Sequence, residues 1–386
     1  MSPSLTAYRP LPGARDAAVD AAGHPRPGWQ RVLAELARLD PAELDRRQRA
    51  ADRLATAEGA GYLADEGLGT AEPWRVSVVP FVLDPDTWDR LAAGLVQRAR
   101  LLRAVLRDLT GPRELLRSGT VPVEAVAGHP AYVRGRPTDD PGGGLLLVGS
   151  DLVLDAEGAL RVVRHRTDTP AGEGLALLAR AVAARVAPAP RAPGSTGGGS
   201  TTAWAGAVTA GAGPDVVGHD DHLRAMRARL ARAAPAGRHS PRTVVLSGVA
   251  DGPGHVENAH LAARLGYSLA EPADVAVREG RVWLRSLDGP EPIDVLLRRV
   301  GHQGLDPVEQ PDAPGGIAGL VHAARRGLVR LVNPAGAELA EHLALLPFLD
   351  DAARFLLGSP LRLAGVPTLW CGDPEHRATL LAAPER

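Results

Sequence analysis

The sequence predicts an α/β protein with an α+β N-terminal part and a Rossmann-like C-terminal half. Three observations carry that expectation. Strand-like and helix-like runs alternate from 243 to 357, helical stretches and a hairpin pattern fill 29–186, and a proline- and glycine-rich stretch at 187–217 separates the two. Short apolar strands alternating with helices argue for a parallel sheet covered on both faces.

At 386 residues the chain can bury a large core and form about two domains. Hydrophobic residues make up 45% and charged residues 23%, a globular composition. The net charge of −1 removes the usual electrostatic argument for nucleic acid or an anionic membrane as a partner. Cys371 is the single cysteine, so neither an internal disulfide nor a cysteine zinc cage can form. The start Met1-Ser2-Pro3 lacks a basic region followed by an apolar stretch, and no run approaches the ~18 apolar residues of a membrane span. A cytoplasmic, bacterial-type protein is expected. All 44 basic residues are arginine, so the chain offers no lysine phosphate clamp and no Schiff-base nitrogen. A genome rich in Arg, Ala, Gly and Pro codons is the preferred account of that bias.

In the N-terminal part, Leu33, Leu36, Leu39 and Leu44 place a helix over 29–58. A stronger helix over 86–109 opens at Asp84-Pro85-Asp86 and closes at Gly111-Pro112. Trp88, Leu91, Leu95, Leu102, Val105 and Leu106 form its apolar stripe, with arginines on the other side. Runs at 145–154 and 159–163, hinged at Ala156-Glu157-Gly158, predict a hairpin, and a helix follows over 174–186. Pro188, Pro190, Pro193 and the Gly-Ser-Thr-rich stretch that follows have linker composition, so 187–217 is expected to be a flexible boundary between 1–186 and 218–386.

Beyond the linker, strands are expected at 243–247, 293–298 and 328–332, and a hairpin at 275–277 and 282–284 turns at Glu279-Gly280. Helices are expected at 256–265, 317–326 and 338–357, the first ending at Gly266 and the last at Gly358. Ligands of such a sheet bind outside the carboxyl ends of its strands. Arg298 and Arg299 fall at that edge, where guanidinium groups suit a carboxylate or phosphate, although a surface salt bridge competes as an explanation.

Other candidates are weaker. The loop from Ser247 through Gly248 to Gly254 joins a strand to a helix, where backbone N–H groups meet anions, but it lacks the Gly-x-Gly-x-x-Gly spacing. His219-Asp220-Asp221-His222 resembles a metal cluster, yet adjacent carboxylates before an arginine-rich helix are good N-terminal residues, and that reading is preferred. Cys371, between Trp370 and Gly372, reads as a small buried residue rather than a nucleophile.

The stretch 151–180 is the most informative: a strand pair, Arg164-His165-Arg166, the turn Pro170-Ala171-Gly172-Glu173-Gly174, then a helix. It resembles the circularly permuted ATP-grasp family, of the glutathione-synthetase-like superfamily, in which a strand pair, an Asp-Arg step and a Pro-Ser-Gly turn lead into a helix. The resemblance runs in order along nearly the whole chain. Upstream it includes Arg26-Pro27-Gly28-Trp29, 97–102, 108–112 and 119–122. Downstream it takes in 256–262, Val282-Trp283-Leu284, 294–299, Asp306-Pro307-Val308-Glu309 and Trp370-Cys371-Gly372.

That resemblance implies a ligase that activates a carboxylate as an acyl phosphate and passes it to an amine, using ATP and magnesium. It implies that 1–186 contains the permuted C-terminal half of an ATP-grasp domain and that 218–386 is the pre-ATP-grasp, substrate-type domain. By position, Arg166, Gly172, Gly174 and Arg180 correspond to cofactor-binding residues, and Gly248, Glu257, Asn258, Arg298 and Arg299 to substrate-binding ones. The departures fall on the functional positions. His165 stands in place of the family's aspartate, Leu178 and Ala179 in place of its Glu-Asn pair, and Gly301-His302 in place of two aspartates. Leucine and alanine ligate no metal, and neutral imidazole is a poor magnesium ligand. The sequence past Gly372 has no room for the lysine-bearing nucleotide half. The expectation is therefore a non-catalytic homologue, needing no cofactor in isolation, that binds a peptide-like or carboxylate ligand or a partner. The alternative is an active ligase component completed by a second ATP-grasp chain, with Asp151, Asp168 and Glu173 as substitute metal ligands or else turn and cap residues.

Overall fold

The computed structural model describes residues 15–59, 61–63, 71–79, 81–132, 144–186, 219–249, 254–309 and 315–382. The linker expected at 187–217 and most of the glycine-rich loop expected at 248–254 lie outside them.

Two helices, α1 (Trp29–Leu36) and α2 (Pro41–Ala57), replace the single one expected over 29–58. The Asp40 side chain accepts the Ala42 N–H and Pro41 takes the first turn, so a helix start lies inside the apolar pattern. The same grammar opens α3 (Pro85–Thr110), where Asp84 accepts from the Thr87 N–H. Its buried stripe is Leu91, Leu101, Leu102, Val105, Leu106 and Leu109. Trp88, expected in that stripe, is instead 49% exposed, and Arg98, expected outside, is 2% exposed.

In the chain a small ribbon, β1 (Gly61–Leu63) and β2 (Ala71–Pro73), precedes α3, and two short helices, α4 (Glu114–Arg117) and α5 (Glu124–Ala127), follow it. The expected hairpin forms from β3 (Gly149–Leu154) and β4 (Leu160–Arg166), antiparallel, with 145–148 outside the strand. Helix α6 (Glu173–Val186) follows it.

The C-terminal half holds α7 (His219–Ala233), β5 (Thr243–Leu246), α8 (His255–Leu265) and β6 (Ser268–Ala270). Next come β7 (Val275–Arg278), β8 (Arg281–Leu284), β9 (Glu291–Pro292), β10 (Val295–Arg298), α9 (Leu320–Arg325) and β11 (Arg330–Val332). Strands β11-β10-β5-β6 form the expected parallel sheet. Strands β5 and β10 are buried at every position, as a sheet covered on both faces requires. The β7–β8 turn places Glu279 at φ 51° and Gly280 at φ 75°, the paired left-handed residues that match the twist of a hairpin.

The single helical region expected over 338–357 is broken. Two 3₁₀ stretches, Ala337–Glu341 and Leu343–Phe348, precede α10 (Leu349–Leu357): His342, at ψ 124°, separates the first from the second, and Pro347 withholds a donor inside the second. Helix α9 is shorter than the 317–326 expected, and α11 (Pro374–Ala382) is additional. Cys371 is exposed, not buried, since it sits in the turn before α11 with its carbonyl accepting from Arg377.

Buried clusters span both sides of the proposed division at 187–217. Residues of α3 pack with Leu339, Leu345, Leu349 and Ala353, and Leu177 of α6 packs with Val245, Leu261 and Leu297. Among the described residues no helix is long and apolar enough to cross a membrane.

Candidate functional site

The turn at 167–174 is where the expected cofactor and substrate residues meet. Two arginines leave the carboxyl end of β10 and each grips this turn. Arg298 donates to the Asp168 carboxylate, to the Asn333 carbonyl at 2.6 Å, to the Pro334 carbonyl at 2.8 Å and to the Val300 carbonyl at 3.0 Å. Arg299 donates to the Pro170 carbonyl, to Asn258 Oδ1 at 2.9 Å and to Glu257 Oε1 at 2.8 Å. Glu257 Oε1 also accepts the Gly172 N–H at 2.6 Å, and Asn258 Nδ2 donates to Ser247 Oγ at 3.0 Å.

These side chains are buried, Arg298 and Arg299 being 0% and 3% exposed. The alternative of a surface salt bridge is thereby corrected: both are buried ion pairs, with burial pulling the Arg299 pKa down against the carboxylates of Glu257 and Glu173. The hydrogen bonds that Arg298 and Arg299 make among the described residues all go to the protein's own carbonyls, carboxylates and the Asn258 amide oxygen.

The remaining expected residues serve the same junction or lie apart. Gly174 is buried at the start of α6, where a Cβ would stand 2.3 Å from the Glu257 carbonyl oxygen and 2.7 Å from its Cγ. Its hydrogen lets α6 approach α8. Gly174→Ala is expected to cost about 1–3 kcal/mol through overpacking, read as a lower urea midpoint. A midpoint equal to the parent's would show that the two helices part freely. Arg166 pairs with Asp151 at 2.9 Å across the β3–β4 hairpin. Arg180 is exposed on α6, and Gly248 has open space where a Cβ would be.

The positions expected to hold metal have been rebuilt. His165 is 3% exposed, with Nε2 3.1 Å from Arg98 Nη1 and Nδ1 2.9 Å from Ser150 Oγ. Burial first, then the Arg98 charge, push its pKa down to about 4, so the ring is neutral near pH 7 and accepts from the guanidinium at Nε2. Leu178 is 2% exposed in a cluster with Ala51, Ala55, Val76 and Val182, and Ala179 packs against it. An imidazole with both nitrogens engaged and two aliphatic side chains in a core do not fit magnesium, which requires octahedral oxygen donors.

Asp220 and Asp221 lie in the first turn of α7, pairing with Arg264 and Arg224, while His222 meets Glu173, whose carboxylate raises the histidine pKa. Among the described residues no three His, Cys, Asp or Glu side chains group as metal ligands.

Four residues of this region escaped sequence reading. Asn333, at the end of β11, accepts the Leu146 and Leu147 N–H groups and donates to the Leu147 and Thr167 carbonyls. Glu341 accepts the Thr167 and Asp168 N–H groups. Glu338 stands beside Asp168, and burial followed by the Asp168 charge raises its pKa to about 8. Arg98 holds His165. An Asn-Pro step directly after an expected strand was the one available signal, for Asn333.

The family described as circularly permuted ATP-grasp type 2 matches residues 80–195 and 207–386. An uncharacterized protein of Mycobacterium tuberculosis (strain ATCC 25618 / H37Rv) is 35% identical over 392 residues, covering 98% of this chain and 42% of that protein. A Mycobacterium leprae (strain TN) protein, also uncharacterized, is 28% identical over 370 residues, covering 95% and 62%. A Frankia alni protein provisionally named glutamate–cysteine ligase 2-3 is 32% identical over 377 residues, covering 96% and 41%. The chain thus spans less than two thirds of the length of each of these relatives. Among solved structures, the apoform of a glutathione synthetase like-effector from Globodera pallida is similar at a TM-score of 0.45 and 11% identity, over 83% of this chain and 70% of that one.

Proposed function

The chain belongs to the circularly permuted ATP-grasp type 2 family, and from that premise we propose that it is a non-catalytic homologue of ATP-dependent carboxylate–amine ligases. In this reading the fold is retained to bind a partner or a peptide-like carboxylate ligand. The observation that carries the proposal is His165, neutral and held between Arg98 and Ser150 where the family's aspartate would face magnesium. Leu178 in the core supports it from the second expected ligand position. A triphosphate needs cations bridging its oxygens, and arginine cannot recreate that octahedral coordination.

Titrating the full chain with Mg-ATP to sub-millimolar concentration is expected to give no saturable heat and no rise in unfolding temperature. A micromolar dissociation constant that disappears on adding EDTA would overturn the proposal. The name of the Frankia alni relative favours the competing reading, an active ligase component completed by another chain. That reading predicts Mg-ATP binding once the completing chain is supplied.

A further inference from the structure

The Arg98 side chain borders a cavity of about 200 Å³ between β4 and the segment 346–368. Apolar side chains of Val162, Leu346, Leu361 and Val366 line it together with the polar Arg98 and Thr368. Asp350 also lines it, but both of its oxygens are engaged, Oδ1 by the Leu361 N–H at 2.8 Å and Oδ2 by Arg354 at 3.0 Å.

Arg98 is 2% exposed, yet its hydrogen bonds reach only uncharged acceptors: Nε donates to the Leu363 carbonyl at 2.9 Å and Nη1 to the neutral His165 ring at 3.1 Å. Among the described residues no carboxylate oxygen stands within ion-pair distance of it, and Asp350 attracts it only from further off. Burial lowers its pKa to about 10, so it remains a cation at neutral pH. A buried charge without a countercharge is costly, and an anion brought beside it would relieve that cost.

Nη2 is the free corner of this guanidinium, forming no hydrogen bond among the described residues. Gly365 faces it: a Cβ there would stand 3.5 Å from Nη2 and 3.4 Å from the Val162 carbonyl. The absent side chain keeps the space in front of Nη2 open. Segment 363–366 is itself anchored on β4, with Val162 N–H donating to Ala364 and Val366 N–H to Val162.

The geometry points to this cavity as a binding site for a short-chain monocarboxylate, its carboxylate on Arg98 Nη2 and its alkyl part against the apolar wall. A carboxylate answers the guanidinium and a short tail answers Val162, Leu346 and Val366, whereas inorganic phosphate, polar all round, would strand donors and oxygens against that wall. The site requires neither ATP nor metal, so its test is independent of the proposal above.

The probe is sodium propionate, titrated into the full chain and followed by thermal unfolding and calorimetry, with sodium phosphate and sodium chloride at matched ionic strength as comparisons. Propionate is expected to raise the unfolding temperature saturably, and the two inorganic salts are not. Gly365→Val, whose branched side chain fills the space against Nη2, is expected to weaken propionate by about tenfold or more. Gly365→Ala, a smaller plug, should weaken it less, and Arg98→Met should abolish the response if that variant folds. An equal shift with phosphate or chloride, a response that never saturates, or undiminished propionate binding by folded Gly365→Val would each overturn the assignment.

Discussion

Arg298→Met is expected to lower the unfolding free energy by about 3–5 kcal/mol, among the largest single-residue effects in this chain. The side chain is fully buried and ties the Asn333, Val300 and Pro334 carbonyls to Asp168. Methionine fills similar volume but leaves three carbonyls short of a donor and Asp168, 14% exposed, without its cation. The comparison is Arg264→Met, which breaks a pair with Asp220 whose side chains are 47% and 84% exposed. Exposed pairs contribute about 0–1 kcal/mol. Urea denaturation of both variants decides the matter, and equal midpoints would mean that Arg298 is not the tie between β10 and the 167–174 turn.

The second large effect depends on pH. Glu338 has its pKa raised from 4.5 to about 8 by burial and the neighbouring Asp168, with Arg298 acting in the opposite sense. Between these two values the folded chain holds a proton that the unfolded chain has released, so stability falls as pH rises through the window and levels off above it. The slope is at most about 1.4 kcal/mol per pH unit. Glu338→Gln, which keeps the neutral shape, should change little at pH 5 and stabilise by about 2–4 kcal/mol at pH 9. Thermal unfolding of parent and variant across pH 5–9 tests this, and parallel curves would remove the buried carboxyl from the account.

His165 works on the acid side. Its pKa is depressed from 6.5 to about 4, so the folded chain binds fewer protons there and loses stability as pH falls through that interval.

Much of the fold was legible because its signals are local. Asp84-Pro85 opens α3, Gly266 and Gly358 end helices with positive φ, and Glu279-Gly280 makes the β7–β8 turn. The misreadings have local causes too. Asp40-Pro41 is a start signal inside an apolar period, the extended backbone at His342 divides what composition joins, and Trp370 beside Cys371 suggested burial that the turn at 371–373 does not provide. The site was legible in position but not in partnership. Glu257 meets Gly172, Arg299 meets Pro170, Glu257 and Asn258, and Arg298 meets Asp168, a convergence on the 167–174 turn that the sequence reading did not state. That their charges are met by carboxylates 42 and 130 residues distant is a property of packing that no spacing rule encodes. In the same way the substitution at His165 was visible, while the arginine that it accepts from, 67 residues away, was not.

The cluster joining α3 to residues 337–353 also has a bearing on time. On a ribosome the stripe of Leu101, Leu102, Val105 and Leu106 emerges long before Leu345, Leu349 and Ala353, which complete its cover. At about 5–20 residues per second, roughly 250 residues of synthesis leave that stripe waiting for ten seconds or more. The parallel sheet adds closures of similarly long range. The nascent chain therefore carries a leucine stripe with incomplete cover, a surface that invites chaperones and self-association, until residues 345–353 emerge.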